Sequence, residues 1–229
     1  IHQYWPRLRN ESDLIVEKEQ PGKGGDAQVV FLCTPHGESM KIAPEYINNG
    51  YKVVDLSADF RFNDPSERKG YYDSPHTAPD LCAEAVYGMP ELFREQIVPA
   101  KLVANPGCYP TGIILSLLPV VKEELIAIDT IHIASASGVT GAGKKPKPHL
   151  HHPELDQNYF AYRIGNHQHT PEIGSVLKRA TGRDIAASFV PHVLPLQRGI
   201  LSTIFCQRRS SHSLQDIWNL YQNYYKNEP

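Results

Sequence analysis

Two apolar segments with a helical segment between them constrain the fold of this 229-residue chain more than any other feature. Residues 28–34 read QVVFLCT and residues 52–57 read KVVDLS, as expected of strands that are buried on both faces of a sheet. Residues 38–49 carry a helical pattern that ends at Gly50, and residues 101–104 supply a third strand. A strand, a helix and a second strand in this order form a βαβ unit. The first part of the chain is therefore predicted to be an α/β fold with a parallel sheet covered by helices.

A different pattern follows residue 108. The expected elements, in chain order, are a helix over 111–125, a strand over 130–137, a helix over 171–181, strands over 185–193 and 200–208, and a last helix opened by a capping box at 213–216. Residues 138–153 are rich in Gly, Lys, Pro and His and are predicted to form a functional loop or a long connection. The second part should therefore be α+β, with a mixed and largely antiparallel sheet.

Composition excludes some classes of function. Lysine and arginine number 23 against 25 aspartate and glutamate residues, and the formal net charge of −2 argues against a nucleic-acid-binding surface. No apolar run has the length of a membrane span. The four cysteines are scattered, without the density of a disulfide scaffold, so we expect reduced thiols in a cytoplasmic protein.

Cys108 stands at the most informative position in the sequence. Residues 104–111 read ANPGCYPT, in which Asn-Pro-Gly ends the preceding strand, and an apolar helical pattern follows. Cys108 is therefore expected close to a helix N-terminus, where the helix dipole and the free N–H groups favour the thiolate. A thiolate at such a corner is a candidate nucleophile. An isolated cysteine would more often be a small buried apolar residue, and the flanking motif disfavours that reading here.

Two glycine-rich segments match nucleotide-binding motifs without the structural context that those motifs need. Residues 22–27 fit GxGxxA but precede a strand, which is typical of a surface turn. Residues 138–145 fit GxxxxGK after a strand, but Lys145 stands where the motif has Ser or Thr. Pro146 and Pro148 then prevent the helix that should follow. We expect a loop that brings backbone close to a ligand, without NTPase chemistry.

Two histidines and an arginine are candidate partners of Cys108. His167 and His169 lie just before a predicted helix, and either could serve as acid or base for a thiolate. Arg61 follows a buried strand, at the carboxyl edge where α/β sheets bind ligands, and could bind phosphate in a bidentate manner. Its alternative role is a surface ion pair. Together these residue types suit attack of a thiolate on an acyl phosphate.

The chain resembles the N-acetyl-gamma-glutamyl-phosphate reductase family and, more distantly, aspartate-semialdehyde dehydrogenase. The matching segments, in the family's order, are residues 31–37, 54–61, 105–111, 135–143, 167–173 and 191–200. They span nearly the whole chain, and the pair NPGCYPT and SGVTGAG is the most specific part. The family's N-terminal strand with its glycine-rich phosphate loop is absent, as are its C-terminal segments. We therefore expect a chain that is truncated at both ends.

The resemblance implies a domain organisation and a set of site residues. Residues 1–107 would form a partial Rossmann-type NADP-binding domain, and residues 108–229 a catalytic and dimerisation domain. Cys108 would be the thioester nucleophile and His167 the acid or base. The other site residues divide by role: substrate or phosphate would bind to Arg61, Asn105, His169, Glu172 and Arg198, and the cofactor to Pro35, His36, Ser137, Gly138 and Gly141.

The activity implied is an NADP-dependent reductive dephosphorylation of N-acetyl-gamma-glutamyl phosphate to the semialdehyde, in arginine biosynthesis, by a dimer or tetramer. We expect no bound metal and no nucleic-acid or membrane partner. Three alternatives remain open. A reductase of aminoadipyl or aspartyl phosphate would share these motifs, and a non-catalytic phosphate-binding fragment would share the fold. A zinc hydrolase would use the cluster at His149, His151 and His152.

Overall fold

The computed structural model describes residues 15, 17–18, 20–72, 75–143, 145–209 and 211–229. Residues 1–14 of the predicted first domain and Lys144 of the glycine-rich segment lie outside the described residues. The strands are β1 Val29–Leu32, β2 Lys52–Asp55, β3 Val86–Tyr87, β4 Leu102–Ala104, β5 Ile131–Gly138, β6 Phe160–Ala161, β7 Ala187–Leu194 and β8 Ile200–Phe205. The α-helices are α1 Ser39–Asn48, α2 Pro79–Glu84, α3 Pro90–Ile97, α4 Cys108–Lys122, α5 His152–Leu155, α6 His169–Thr181 and α7 Leu214–Tyr224.

The first sheet is parallel throughout and has the strand order β1-β2-β4-β3, which confirms the predicted α/β fold of this part. Its core joins Leu32, Met40, Val53 and Leu102 from three strands and α1. Strands β2 and β4 end in register, and the Asn105 N–H donates to the Asp55 carbonyl at 2.8 Å. The segments that follow these two strands therefore emerge side by side at the carboxyl end of the sheet.

The second sheet is mixed, as predicted, with the strand order β6-β7-β5-β8. Its longest pairing, β5 with β7, is parallel, whereas β5 with β8 and β6 with β7 are antiparallel. The parallel pairing requires a crossover connection, which α6 supplies. Helices α4 and α6 pack against one face of this sheet, with Ile113, Leu117, Ile133, Val176 and Phe189 in the core.

Two helices begin earlier than the sequence patterns suggest. Helix α4 begins at Cys108 instead of residue 111, and α6 begins at His169 instead of residue 171. Each has a proline, Pro110 or Pro171, as its third residue. A proline costs little anywhere in the first turn, because the N–H groups there have no helical partner. Proline therefore marks the first turn without fixing which residue begins it.

The segment predicted as a loop over 138–153 contains short helical turns. Residues Val139–Ala142 and Pro148–Leu150 form 3-10 turns, and α5 begins at His152. A further 3-10 turn lies at Pro65–Arg68 in the first part. None of the helices in the part of the chain that the structure describes is both long and apolar enough to span a membrane.

Candidate active site

Cys108 is the first residue of α4, and its side chain is exposed. Only the turn Asn105-Pro106-Gly107 separates it from the end of β4, so the strand-to-helix corner predicted from the sequence is present. The structure corrects the expectation about its ionisation. Burial around the sulfur raises the pKa of the Cys108 thiol. The backbone N–H groups of Tyr109 and Cys108 and the charge of Arg61 lower it, as the helix N-terminus should, but they do not outweigh the burial.

Glu172 lies beneath this corner with no exposed surface. Its Oε1 accepts hydrogen bonds from the Gly107 N–H and the Tyr87 hydroxyl, each at 2.8 Å. Its Oε2 lies 3.1 Å from Nη1 of Arg61. The carboxylate therefore has protein partners on both oxygens and faces no solvent. The predicted contact of Glu172 with substrate or phosphate stays a prediction.

Arg61 is the second member of this buried ion pair and is 5% exposed. Besides Glu172, its Nε donates to the Asn105 carbonyl at 2.8 Å and its Nη2 to the Leu56 carbonyl at 3.2 Å. The guanidinium is thus directed at the protein interior, and its bidentate contact with phosphate stays a prediction. Its charge still acts on the site, since it lowers the pKa of Cys108 and of His169.

His167 lies in an aromatic enclosure and is 4% exposed. Its ring makes edge contacts with the rings of Tyr109, Tyr162 and Phe189, at centroid distances of 5.8, 5.5 and 5.3 Å. Nδ1 accepts the His169 N–H at 3.2 Å, so a neutral ring carries its proton on Nε2. Burial first, and then the neighbouring His169, lower the pKa of His167 to about 3. The ring is therefore neutral near pH 7.

His169 is the first residue of α6, which corrects the prediction that both histidines lie on the connecting loop. The two rings nevertheless lie together, at a centroid distance of 4.9 Å. Burial and the charge of Arg61 lower the pKa of His169 to about 3. Its Nε2 lies 3.9 Å from Glu172 Oε2, beyond hydrogen-bond distance, and its buried Nδ1 has no partner among the described residues.

Tyr109 connects Cys108 to the histidines. It follows Cys108 directly, and its ring lies 5.9 Å from that of His169 and 5.3 Å from that of Phe189. Its hydroxyl lies 3.1 Å from the Tyr162 hydroxyl. The charge of Cys108 contributes to raising the pKa of both tyrosines, after burial, so both hydroxyls lie within electrostatic reach of the sulfur.

The remaining predicted substrate residues are exposed. The Asn105 side chain is exposed, and its Nδ2 donates to the Pro106 carbonyl at 3.2 Å. Arg198 is exposed on the segment that leads into β8. Both side chains can therefore reach a ligand, and their substrate contacts stay predictions.

The predicted cofactor residues differ in their exposure to solvent. Pro35 and His36 are exposed beyond the carboxyl end of β1, where parallel sheets bind ligands, so they fit such a role. Ser137 and Gly138 end β5 and are buried. A Cβ on Gly138 would lie 2.7 Å from the Arg198 backbone nitrogen, so the protein's own backbone fills this space. The cofactor contacts of Ser137, Gly138 and the exposed Gly141 stay predictions.

Two tyrosines of this site, Tyr87 and Tyr162, were not predicted from the sequence. Tyr87 lies at the end of a two-residue strand, which no periodicity can detect, and it reaches Glu172 only through the fold. Tyr162 lies beyond another two-residue strand, β6. Within the described residues, no group of three or more His, Cys, Asp or Glu side chains could hold a metal ion.

Comparison with known families gives the class of protein. A family model for the semialdehyde dehydrogenase dimerisation domain matches residues 108–229. A second, for the semialdehyde dehydrogenase NAD binding domain, matches residues 1–100. The chain therefore belongs to the semialdehyde dehydrogenase family, and its second part carries a dimerisation domain.

Within this family the chain is a homologue of N-acetyl-gamma-glutamyl-phosphate reductases. It is 44% identical over 230 residues to that reductase from Desulforudis audaxviator, covering 99% of this chain and 66% of that protein. It is 46% identical over 222 residues to the one from Methanosphaera stadtmanae, covering 96% and 64%. The chain thus spans about two thirds of the length of the curated relatives that it matches.

Solved structures confirm the fold at low sequence identity. Aspartate semialdehyde dehydrogenase II from Vibrio cholerae matches with a TM-score of 0.62 and 15% identity, over 84% of this chain and 59% of that one. Aspartate semialdehyde dehydrogenase with NADP from Candida albicans matches with a TM-score of 0.62 and 14% identity, over 90% and 59%.

Proposed function

We propose that the protein containing this chain reduces N-acetyl-gamma-glutamyl phosphate to N-acetyl-glutamate semialdehyde, a step of arginine biosynthesis in the cytoplasm. The observation that carries the proposal is the placement of Cys108, the exposed first residue of a helix at the carboxyl edge of a parallel sheet. Homology to reductases of that name supports the substrate. We assign residues 1–107 to cofactor binding and residues 108–229 to catalysis and dimerisation.

Cys108 is the proposed nucleophile. Its thiolate attacks the acyl carbon, a carbon–sulfur bond forms, the bond from carbon to the phosphate oxygen breaks, and inorganic phosphate leaves. Because burial raises the pKa of the free thiol, the thiolate form must be favoured by the bound substrate. Arg61 and the N–H groups of the first turn of α4 stabilise its charge.

His167 is proposed to stabilise the negative charge that develops on the acyl oxygen. Its Nδ1 is occupied by the His169 N–H, so the neutral ring offers Nε2–H as a donor to the acyl oxygen as negative charge grows there. Near pH 7 the ring is neutral, so it adds no positive charge that would have to be buried.

NADP is the proposed cofactor, and in its reduced form it would supply the hydride that converts the thioester to the aldehyde. Pro35 and His36 at the end of β1 and Gly141 after β5 are the residues proposed to hold it. The match to an NAD binding domain supports a nicotinamide dinucleotide. The choice of NADP follows the family resemblance.

A homo-oligomer is proposed for the whole protein. Strand β8 exposes Ile200, Leu201 and Phe205, and the last two are 71% and 62% exposed. Leu201 and Phe205 share one face of the sheet, and exposed apolar side chains there support burial against a second copy, in line with the dimerisation domain.

The decisive experiment uses the full protein in the oxidative direction. N-acetyl-glutamate semialdehyde, inorganic phosphate and NADP⁺ should together give NADPH, and omission of phosphate should abolish its formation. The aminoadipyl and aspartyl semialdehydes, tested in parallel, distinguish the related reductases. Formation of NADPH with neither phosphate nor Cys108 present would contradict the proposal.

A further inference from the structure

We infer that Arg61 and Glu172 are positioning residues that hold the turn before Cys108 from both sides, an inference that rests on the proposed reductase function. Arg61 Nε donates to the Asn105 carbonyl at 2.8 Å. Glu172 Oε1 accepts the Gly107 N–H at 2.8 Å. The two side chains pair with each other at 3.1 Å. One ion pair, the Arg61–Glu172 clamp, therefore holds the residues on both sides of the turn's proline.

The clamp is rigid because it is buried and its members have further partners. Glu172 has no exposed surface and Arg61 is 5% exposed. The Tyr87 hydroxyl donates to Glu172 at 2.8 Å, and Arg61 Nη2 donates to the Leu56 carbonyl at 3.2 Å. A shift of either side chain would leave a buried polar or charged group unpaired, which is costly. The turn is thereby tied to a structure that resists displacement.

The clamp also joins the two parts of the chain at the nucleophile. Arg61 lies in the segment that follows β2, and Tyr87 is the last residue of β3; both strands belong to the parallel sheet. Glu172 lies in the first turn of α6, and α6 packs against α4. Helix α4 begins with Cys108, so the start of this helix is fixed relative to both sheets. Reactions between positioned groups lose rate steeply when the reacting atom moves, which gives the clamp a catalytic consequence.

Gly107 supports the same conclusion independently. A Cβ at this position would lie 2.6 Å from His169 Nε2, 2.9 Å from Arg61 Nη1 and 2.9 Å from Glu172 Oε2. Its backbone has φ of −66°, so no backbone strain requires glycine here. The residue before the nucleophile is therefore limited to glycine by the close approach of the clamp itself.

Glu172→Gln in the full protein is the test. Two properties are measured: the pH midpoint of Cys108 alkylation by iodoacetamide, followed by peptide mass spectrometry, and the turnover number. Loss of the carboxylate leaves Arg61 without its counter-ion, so the alkylation midpoint should move to lower pH. Turnover should nevertheless fall, by about 10²-fold if the sulfur is displaced by an ångström. A purely electrostatic role would give a more reactive thiol with undiminished turnover.

Asp59→Asn is the matched control. Asp59 pairs with Arg68 at 3.4 Å, both are buried, and neither has a hydrogen bond to the turn before Cys108. The same change from carboxylate to amide should destabilise the fold and leave the alkylation midpoint of Cys108 at the wild-type value. If Glu172→Gln leaves both the alkylation midpoint of Cys108 and the turnover number at their wild-type values, the inference is overturned.

The design separates failure of the clamp from failure of the proposed function and from unfolding. If the wild-type protein turns over no acyl phosphate, the function fails, and the alkylation midpoint still tests the clamp. If Glu172→Gln unfolds, the buried Cys82 will be alkylated as fast as the exposed Cys33. In that case Tyr87→Phe decides, because it removes one hydrogen bond to Glu172 and keeps every charge. Because every charge is kept, the alkylation midpoint should stay near the wild-type value, whereas turnover should fall by less than in Glu172→Gln. Wild-type turnover in Tyr87→Phe overturns the inference.

Discussion

Cys108 and Cys82 lie in contrasting surroundings, and only one of them suits nucleophilic attack. Cys82 lies in α2 with no exposed surface, and its sulfur is 3.3 Å from His76 Nε2. Cys108 is exposed at the start of α4, beneath which the Arg61–Glu172 ion pair is buried. Burial raises the pKa of both thiols, to about 11 for Cys82.

The comparison shows that a short cysteine–histidine distance does not identify a nucleophile. Cys82 Sγ and His76 Nε2 are only 3.3 Å apart, but the sulfur is buried and no reactant can reach it. Cys108 combines exposure with helix N–H groups and the charge of Arg61, which lower its pKa against the effect of burial. A solvent-accessible sulfur beside helix N–H groups therefore identifies a nucleophile better than a short cysteine–histidine distance does.

Replacing each cysteine by serine should give the largest difference in turnover between the two positions. Cys108→Ser should abolish turnover and leave the fold intact, because a serine hydroxyl is not ionised near neutral pH. Cys82→Ser should retain turnover, with at most a loss of stability. Steady-state NADPH formation and circular dichroism of both variants are the measurements. Turnover that survives in Cys108→Ser would contradict the assignment.

The second contrast compares His167, the proposed partner of Cys108, with His76, which contacts Cys82. His167→Asn should reduce turnover by ~10²–10³-fold, the usual cost of removing one hydrogen-bond donor to a developing oxyanion. His76→Asn, the matched change beside Cys82, should leave turnover unchanged. If His169→Asn shows the loss and His167→Asn does not, the two roles are exchanged.

The buried histidines should also make stability depend on pH. Folded His167 and His169 have pKa values of about 3, below the unfolded value of about 6.5. As pH falls through about 6.5, the unfolded chain gains protons that the folded chain does not. The free energy of unfolding should therefore fall by up to about 1.4 kcal/mol per pH unit for each histidine, until pH approaches about 3.

Urea unfolding between about pH 7 and about pH 4 measures this dependence. The slope should be shallower in His167→Asn than in the wild type. His132→Asn serves as the control, because His132 is exposed on β5. An equal slope in the wild type and His167→Asn would show that the ring is not held neutral by burial.

Much of the fold could be predicted because its signals are local. The runs that became β1, β2 and β4, the corner before Cys108 and the capping box of Ser213 and Asp216 all lie within a few residues of sequence. The secondary structure of residues 58–100 was not predicted. Pro79 and Pro90, each the first residue of a helix there, were available signals.

The site was harder to predict because its contacts join distant residues. Arg61 and Glu172 were selected for their residue types, and their pairing across 111 positions could not be inferred from one sequence. The pKa of Cys108 was misjudged for a similar reason, since the helix N-terminus is visible in the sequence and the surrounding burial is not.

Two glycines on either side of the nucleophile provide the smallest predicted effect. Gly112 lies within α4, and a Cβ there would meet nothing within 4 Å. Gly112→Ala should therefore raise the free energy of unfolding by about 0.5–1 kcal/mol, because alanine favours the helix. Gly107→Ala should lower it by about 1–3 kcal/mol, because the added methyl group would overlap the Arg61–Glu172 clamp. Urea unfolding of both variants measures the difference. Opposite signs only five residues apart in sequence would show that the packing beneath Cys108 is close and local, and equal signs would contradict it.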